Sequence, residues 1–545
     1  MSQLGGIAAC AAVLLFCVPA QPQAIVPSGS KQDQNQDQAI RVTTRLVQVE
    51  AIVRDKRGAV DGLAQSDFTL LDNGKPRAIA AFSIAKTSAQ SSRSQLPAGT
   101  YSNKVNQPGD SPLSATIILF DSLNMQFMDQ AAARLQTLKL LRSIDPQSPV
   151  AIYSLGNSFR ILHDFTDDRA RLARALERYR GENSRFIADS VPPTDDILAQ
   201  VFEPLQRYTV ERRATMTLAS LRAIANRVAG VAGRKNLIWI SSAFPLVLAF
   251  DRGGFGLNGV GQNDVNYSGP LKDTAQALDR ANVAIYPVNA GTTVTLPRMS
   301  AADNAPPLQR NPAIRAPVRI PGESDGTRER DTMRLLADWT GGKAFLNSND
   351  IQGAIRQAME DAEIVYTLGF YVDSNDLDSS YHNLKVKIGR KGLDVRHRQG
   401  YFATPPASAA QSLADIVVNS AFAPVDATGI GLTASLKPTP ADPALYTLQF
   451  TIDFQNIHLE EANGKWTGGL TFLALEQSDI GKVTDSAPHN ISIDITEARR
   501  QTLMQEGLSM RLTVKPSPNM SQIRLAVVDQ GSGNVGSLRI RPLVP

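Results

Sequence analysis

Strict alternation of apolar and polar residues opens the readable part of the chain. Val47, Val49, Ala51 and Val53 alternate with Gln48 and Glu50, the pattern of a half-buried strand, and Asp55-Lys56-Arg57-Gly58 turns it. Phe68-Thr69-Leu70-Leu71 then runs into Asp72-Asn73-Gly74-Lys75-Pro76. Asn-Gly supplies the positive φ angles of a tight hairpin, and Ile79 to Phe82 is expected to pair back. Thr87 to Pro112, rich in Ser, Asn, Gln, Gly and Pro, reads as a linker.

The pattern then changes to continuous apolar runs separated by helical spacing. Ala115-Thr116-Ile117-Ile118-Leu119-Phe120-Asp121 has the character of a strand buried on both faces. A helix is expected from about Met128, with Met128, Ala132, Leu135, Leu138 and Leu141 in step, stopping before Pro146. Val150 to Leu155 is the next buried strand, Arg160 to Phe165 an edge, and Asp167 opens a helix through Leu172, Ala175 and Leu176. Thr217 to Val231 reads as a helix, Asn236 to Ile240 as a strand, Asp273 to Arg280 as a helix and Val283 to Val288 as a strand. Arg330 to Thr340, Ala344 to Leu346 and Ile351 to Glu363 complete the series.

Such alternation predicts an α/β fold with a doubly wound, mainly parallel sheet and helices on both faces. Two long inserts interrupt it, the Gly- and Asn-rich stretch 243–271 and the Pro-rich stretch 291–327. Loops of that length are usually functional or without fixed structure.

Period two returns in Tyr366 to Val372, Tyr381 to Ile388 and Leu393 to Phe402. The economical architecture inserts the α/β unit, residues 113–363, into a β sandwich made from 41–100 and 364–403. After a linker at 405–411, residues 412–545 carry strand patterns at 430–436, 445–454, 467–475, 489–495, 509–515, 521–528 and 535–540, which predicts a second sandwich.

At 545 residues the chain is too long for one core and fits about three domains. With 56 basic and 52 acidic residues its charge of +4 gives no nucleic-acid footprint. The apolar run from Ile7 to Ala20 is too short to span a bilayer and right for a signal-peptide core. Residues 1–20 are therefore expected to be removed, with cleavage after Ala20 or Ala24, although Met1 to Gly6 has no Lys or Arg. The polar stretch 21–40 reads as a flexible tether. Both cysteines, Cys10 and Cys17, fall in the removed segment, which leaves a mature chain without thiols. No later segment has the apolar length of a membrane helix, so an exported, periplasmic or secreted protein is expected.

Asp121 ends its strand where open α/β sheets bind ligands. The simplest reading is a strand-end carboxylate accepting amide hydrogens. Gly254 to Gly259 matches a dinucleotide spacing, but no helix pattern follows it. Gly156-Asn157-Ser158 lacks the second glycine of a nucleophile elbow. His163, His382, His397, His458 and His489 show no metal spacing. Asp373, Asp376 and Asp378 fit a solvated loop better than a Ca²⁺ site, and Asp195 and Asp196 fit a helix start.

Four stretches carry a family resemblance: Asp67 to Pro76, Leu119 to Asn124, Gly233 to Ser241, and Arg398-Gln399-Gly400-Tyr401-Phe402. Over roughly residues 40–402 the chain resembles the von Willebrand factor type A proteins, closest to the secreted VWFA-related group of acidobacteria. That resemblance implies a Rossmann-type sheet and an adhesion site. There an Asp-x-Ser-x-Ser loop, a threonine and a second Asp hold Mg²⁺, whose chemistry suits hard oxygen ligands. Carried over by position, the first Asp is Asp121, the serines are Leu123 and Met125, the threonine is Thr215 or Thr217, and the last Asp falls near Ser242. Asn124 offers one amide oxygen. A hydrocarbon and a thioether cannot hold Mg²⁺, so the expected site is degenerate, with no cofactor or a weakly held Mg²⁺.

The expected role is non-enzymatic binding of a protein or cell-surface ligand. A hydrolase using the inserts as a lid and a structural envelope component are the alternatives, and no nucleophile and base can be paired for the first.

Overall fold

The computed structural model describes residues 45–86, 99–104, 114–143, 149–182, 196–231, 233–242, 244, 268–291, 326–346, 350–373, 376–378, 380–403, 410–439, 442–462, 464–478, 487–517 and 520–541. The expected signal segment, the tether, most of both linkers and inserts, Asp195 and the stretch Gly254 to Gly259 lie outside these residues.

The described chain begins with β1 (Arg45–Asp55), a short return β2 (Gly58–Ala59), β3 (Phe68–Asp72), β4 (Lys75–Arg77), β5 (Ala81–Lys86) and β6 (Thr100–Ser102). Val47, Val49, Ala51 and Val53 are all buried, as alternation along a pleated strand requires. Asn73 and Gly74 take φ of 48° and 79°, the two positive values of a type I′ turn. The return arm is β4, with Leu70 opposite Arg77, and not Ile79 to Phe82. Pro76 lacks the N–H for a further ladder bond and confines β4 to an edge, while β5 crosses to the other sheet.

The central unit consists of β7 (Ala115–Asp121), α1 (Phe127–Ser143), β8 (Val150–Leu155), β9 (Phe159–Thr166), α2 (Arg169–Arg178), α3 (Asp196–Val228), β10 (Lys235–Ser241), α4 (Ser268–Arg280), β11 (Val283–Asn289), α5 (Gly326–Thr340) and α6 (Ile351–Glu360). Its strand order is β11-β10-β7-β8-β9. The first four run parallel and β9 is antiparallel to β8, so the sheet is mixed. Every residue of β7, β8, β10 and β11 is buried.

Alternate residues face opposite layers. Ile117, Leu119, Leu237 and Trp239 pack with Leu218, Leu221, Leu278 and Leu336 of α3, α4 and α5. Ile118, Phe120, Ile238 and Ile240 pack with Leu138, Leu141, Leu172 and Ile355 of α1, α2 and α6.

Three expectations are corrected here. The packed face of α1 includes Ala133, Thr137, Leu140 and Leu141, whereas Met128 and Leu135 point outward. The third helix begins at Asp196, well before Thr217. Ala344 to Leu346 contributes one parallel bridge, Val288 to Phe345, rather than a strand.

Beyond α6, β12 (Ile364–Val372), β13 (Tyr381–Ile388), β14 (Asp394–His397) and β15 (Gly400–Phe402) return to the opening strands. One sheet has the order β14-β1-β12-β5 and the other β15-β13-β3-β4. They share one core, with Val49, Val53, Leu70, Tyr366, Phe370, Val386 and Tyr401 inside it. The α/β unit is bolted to this pair of sheets. Arg234, just before β10, donates to Glu50 of β1 at 2.8 Å, to the Gly341 carbonyl at 2.8 Å and to the Tyr286 hydroxyl at 3.2 Å. Arg398 donates to the Gln48 carbonyl at 2.6 Å and pairs with Asp279 of α4, and the Gln399 amide donates to the Asp338 carbonyl of α5 at 2.9 Å.

The remainder contains α7 (Ala410–Ala421), β16 (Leu432–Thr439), β17 (Asp442–Ile452), β18 (Glu460–Ala462), β19 (Lys465–Ser478), β20 (His489–Ile495), α8 (Glu497–Glu506), β21 (Leu508–Val514), β22 (Met520–Asp529) and β23 (Val535–Ile540). Two sheets, β21-β17-β16-β6 and β18-β19-β22-β23 with β20 beside β19, enclose a core that includes Leu448, Phe450, Phe472, Leu525 and Leu538. Two features depart from the expected all-strand pattern. The helices α7 and α8 are present, α8 being capped by the Thr496 hydroxyl on the Arg499 amide. An edge strand, β6, comes from the stretch read as a linker, pairing Tyr101 with Ala434.

Candidate functional site

The carboxyl ends of β7 and β10 meet where the strand order reverses, since the chain leaves β7 towards β8 on one side and returns to β10 on the other. Ligands of open α/β sheets bind at such a point. Phe120 lies opposite Ile240, which brings the next residues, Asp121 and Ser241, together. Asp121 is fully buried.

Its carboxylate is surrounded by donors. Oδ2 accepts from Asn124 Nδ2 at 2.8 Å, Trp239 Nε1 at 2.9 Å and Ser241 Oγ at 2.9 Å. Oδ1 accepts from the Asn124 backbone amide at 3.2 Å. Burial pushes the Asp121 carboxyl above the ordinary carboxylate range, and the three side-chain donors together with the charge of Arg213 pull it back.

Asn124 is the hub of the turn. Its Nδ2 also donates to Thr217 Oγ1 at 2.9 Å, while its Oδ1 accepts from Arg213 Nε at 3.0 Å. Thr217 Oγ1 in turn donates to the Arg213 carbonyl at 2.9 Å. Gln130 of α1 pins the same turn by donating to the carbonyls of Ser122 at 3.3 Å and Met125 at 3.1 Å, and the Ser122 hydroxyl is bonded to Tyr179.

The structure therefore brings Asp121, Asn124 and Thr217 together and leaves Thr215 aside. Thr215 and Thr217 lie in one helix, two residues and roughly 200° apart, so Thr217 faces the sheet and Thr215 is exposed. Ser242 sits next to the centre but donates to Asp129 Oδ2 of α1 at 3.3 Å. Leu123 and Met125, which the sequence resemblance sets at serine positions, are buried.

These residues do not fit Mg²⁺, which demands near-octahedral oxygens at about 2.0–2.1 Å. Both Asp121 oxygens face hydrogen-bond donors, and two loop positions offer hydrocarbon and sulfur.

Sequence reading missed Arg213, Trp239, Ser241 and Asp129. One signal was available. A buried tryptophan needs an acceptor for its N–H, and Trp239 and Ser241 share a strand face beside a strand that ends in Asp121. Arg213 carried no such signal.

Among the described residues no group of three or more His, Cys, Asp and Glu side chains forms a metal cluster, and no helix is long and apolar enough to cross a membrane.

No family model and no curated protein matches the chain. Solved structures that resemble it include an aerotolerance-related membrane protein from Bacteroides fragilis, at 16% identity over 45% of this chain and 98% of that one, with a TM-score of 0.24. A von Willebrand factor type A protein from Catenulispora acidiphila is 10% identical over 85% of this chain and 74% of that one, with a TM-score of 0.25. Three N-terminal domains of the type V pili tip protein Mfa5 from Porphyromonas gingivalis give 10%, 85%, 96% and a TM-score of 0.26 in the same order. At these identities and TM-scores the likenesses establish neither family nor function for this chain.

Proposed function

We propose that this chain is an exported, non-enzymatic protein of the von Willebrand type A kind. Its α/β unit, carried within the flanking β sandwich and followed by a second one, binds a protein or cell-surface ligand through the strand-end face.

One observation carries the reading. Phe127 and Met128, at the head of α1 and just past the buried Asp121 turn, are 51% and 76% exposed. Single exposed apolar residues are ordinary. Two large neighbours at the position where open α/β sheets take ligands form a contact patch. The turn beneath them is pinned by Asn124 and Gln130, which reduces the backbone ordering that binding would otherwise cost. The apolar run from Ile7 to Ala20 supports export, and the small net charge speaks against nucleic acid.

The test titrates labelled chain onto an envelope extract of the producing cells. Saturable binding that unlabelled chain competes is expected, and Phe127→Asp combined with Met128→Asp should weaken it at least tenfold while the thermal midpoint holds. Binding that is indifferent to the double substitution would remove this face from consideration. Turnover in a broad hydrolase screen, surviving purification and lost with one point substitution, would overturn the non-enzymatic assignment.

A further inference from the structure

We infer that the Asp121 centre is a metal-free form of the family's adhesion site, in which the Arg213 guanidinium, relayed through the Asn124 amide, supplies the positive charge a divalent cation would otherwise bring. This inference does not depend on what the strand-end face binds.

The arrangement is directional. Arg213 Nε donates to Asn124 Oδ1, which polarises the amide, and the same amide donates from Nδ2 to Asp121 Oδ2 and to Thr217 Oγ1. The cation, the amide and the carboxylate thus form one charge-balanced chain of hydrogen bonds, and such chains strengthen one another where the dielectric is low. Thr217 is committed in both senses, accepting from Asn124 and donating to the Arg213 carbonyl.

Trp239 closes the centre from below. Its indole is fully buried, donates to Asp121 Oδ2 and packs edge-on against Phe244 at 6.0 Å between ring centres. A cation on Asp121 Oδ2 would meet this N–H, and the indole cannot rotate away without repacking the core. Leu123 and Met125, buried in place of two oxygen donors, complete the closure.

The experiment uses the wild-type chain and needs no variant for its first half. Thermal unfolding is recorded in EDTA and then in excess Mg²⁺, Mn²⁺ or Ca²⁺, and Mn²⁺ binding is read directly by electron paramagnetic resonance. The expected midpoints agree within about one degree, with no Mn²⁺ signal of a bound ion, because a ligand stabilises only the state it binds. A cation-dependent rise in midpoint that Asp121→Ala abolishes would overturn the inference.

The second half is a double-mutant cycle in chemical denaturation. Arg213→Met should lower stability clearly in the wild-type background and several-fold less, as a change in equilibrium constant, in Asp121→Asn. Equal losses in both backgrounds would show that Arg213 acts by packing alone and would also overturn the inference. Failure of Asp121→Asn to fold shifts the second half to Asn124→Leu, which cuts the relay and should likewise shrink the Arg213→Met effect. A failed ligand titration on the Phe127 and Met128 face bears on the proposed function and leaves these readings untouched.

Discussion

Lys235 opens β10 with its side chain buried and its Nζ donating to the Val231 carbonyl at 2.8 Å. Burial lowers its pKa to about 8, against the opposing charge of Glu50. The folded value lies below the unfolded 10.5, so folding favours the neutral amine. The stabilisation linked to this group is present in full above pH 10.5 and is lost as pH falls through about 8. Lys235→Met should therefore raise stability at pH 7 by about 1–3 kcal/mol, and the gain should shrink between pH 8 and 10.5. Urea denaturation at pH 7 and 9.5 checks this. Residue roles of this kind were poorly legible beforehand. Lys235 lies in a stretch singled out by resemblance, yet nothing in the order of residues says that its ammonium is buried. Asp121 was located from its strand end, but its donors Trp239 and Ser241 stand 118 and 120 residues away.

The resemblance stretches explain themselves at the scale of elements. Gly400 pairs with Asn383 across β13 and β15, and a Cβ there would lie 2.2 Å from the His382 carbonyl oxygen and 2.5 Å from the Tyr381 ring. Only glycine fits this approach. Gly400→Ala should cost at least about 1–3 kcal/mol through overpacking and should speed amide exchange along β13, measured by native-state hydrogen exchange. Elements with a strong period, such as β1, or a continuous apolar run, such as β7, β8, β10 and β11, were read correctly in kind. The third helix was read in kind but its start was missed, because Pro204 sits inside its span and proline normally ends a helical pattern. The outward side of α1 was misread for a different reason. Its apolar spacing includes Met128 and Leu135, and periodicity cannot tell a core stripe from a contact patch.

The whole molecule is held by crossings between its units. Arg234 is buried and tied to Glu50 across the boundary of the α/β unit and the flanking sheets. Tyr286 and Glu50 keep its guanidinium well into the charged form despite burial. Arg234→Ala leaves Glu50 without its ion partner and should cost about 3–5 kcal/mol, seen as a lower urea midpoint and loss of exchange protection in β1. At the other boundary, Asn103 beside β6 donates to the carbonyls of Ala427 at 2.6 Å and Ile430 at 2.9 Å and accepts from the Leu432 amide at 2.6 Å. Thr428 ties the same region to α3, its amide donating to the Asn226 carbonyl at 2.9 Å. Asn103→Ala strands these buried groups and should cost about 1–3 kcal/mol. Calorimetry should then show the C-terminal sheets melting before the rest.

Local order was decided by the sequence alone: where most strands and most helices lie, the Asn73-Gly74 turn, the fully buried strands of the central sheet and the carboxylate at the end of β7. These follow from side-chain period and backbone preference within a few residues, so neighbours in sequence suffice to determine them. Only tertiary structure decided that β5 leaves its hairpin for the sheet of β1 and that β6 joins strands more than three hundred residues later. The same holds for Arg213, Asn124, Trp239 and Ser241 closing around Asp121. Hydrogen-bond donors and acceptors are interchangeable along a chain, and which of them meet is set by packing and register.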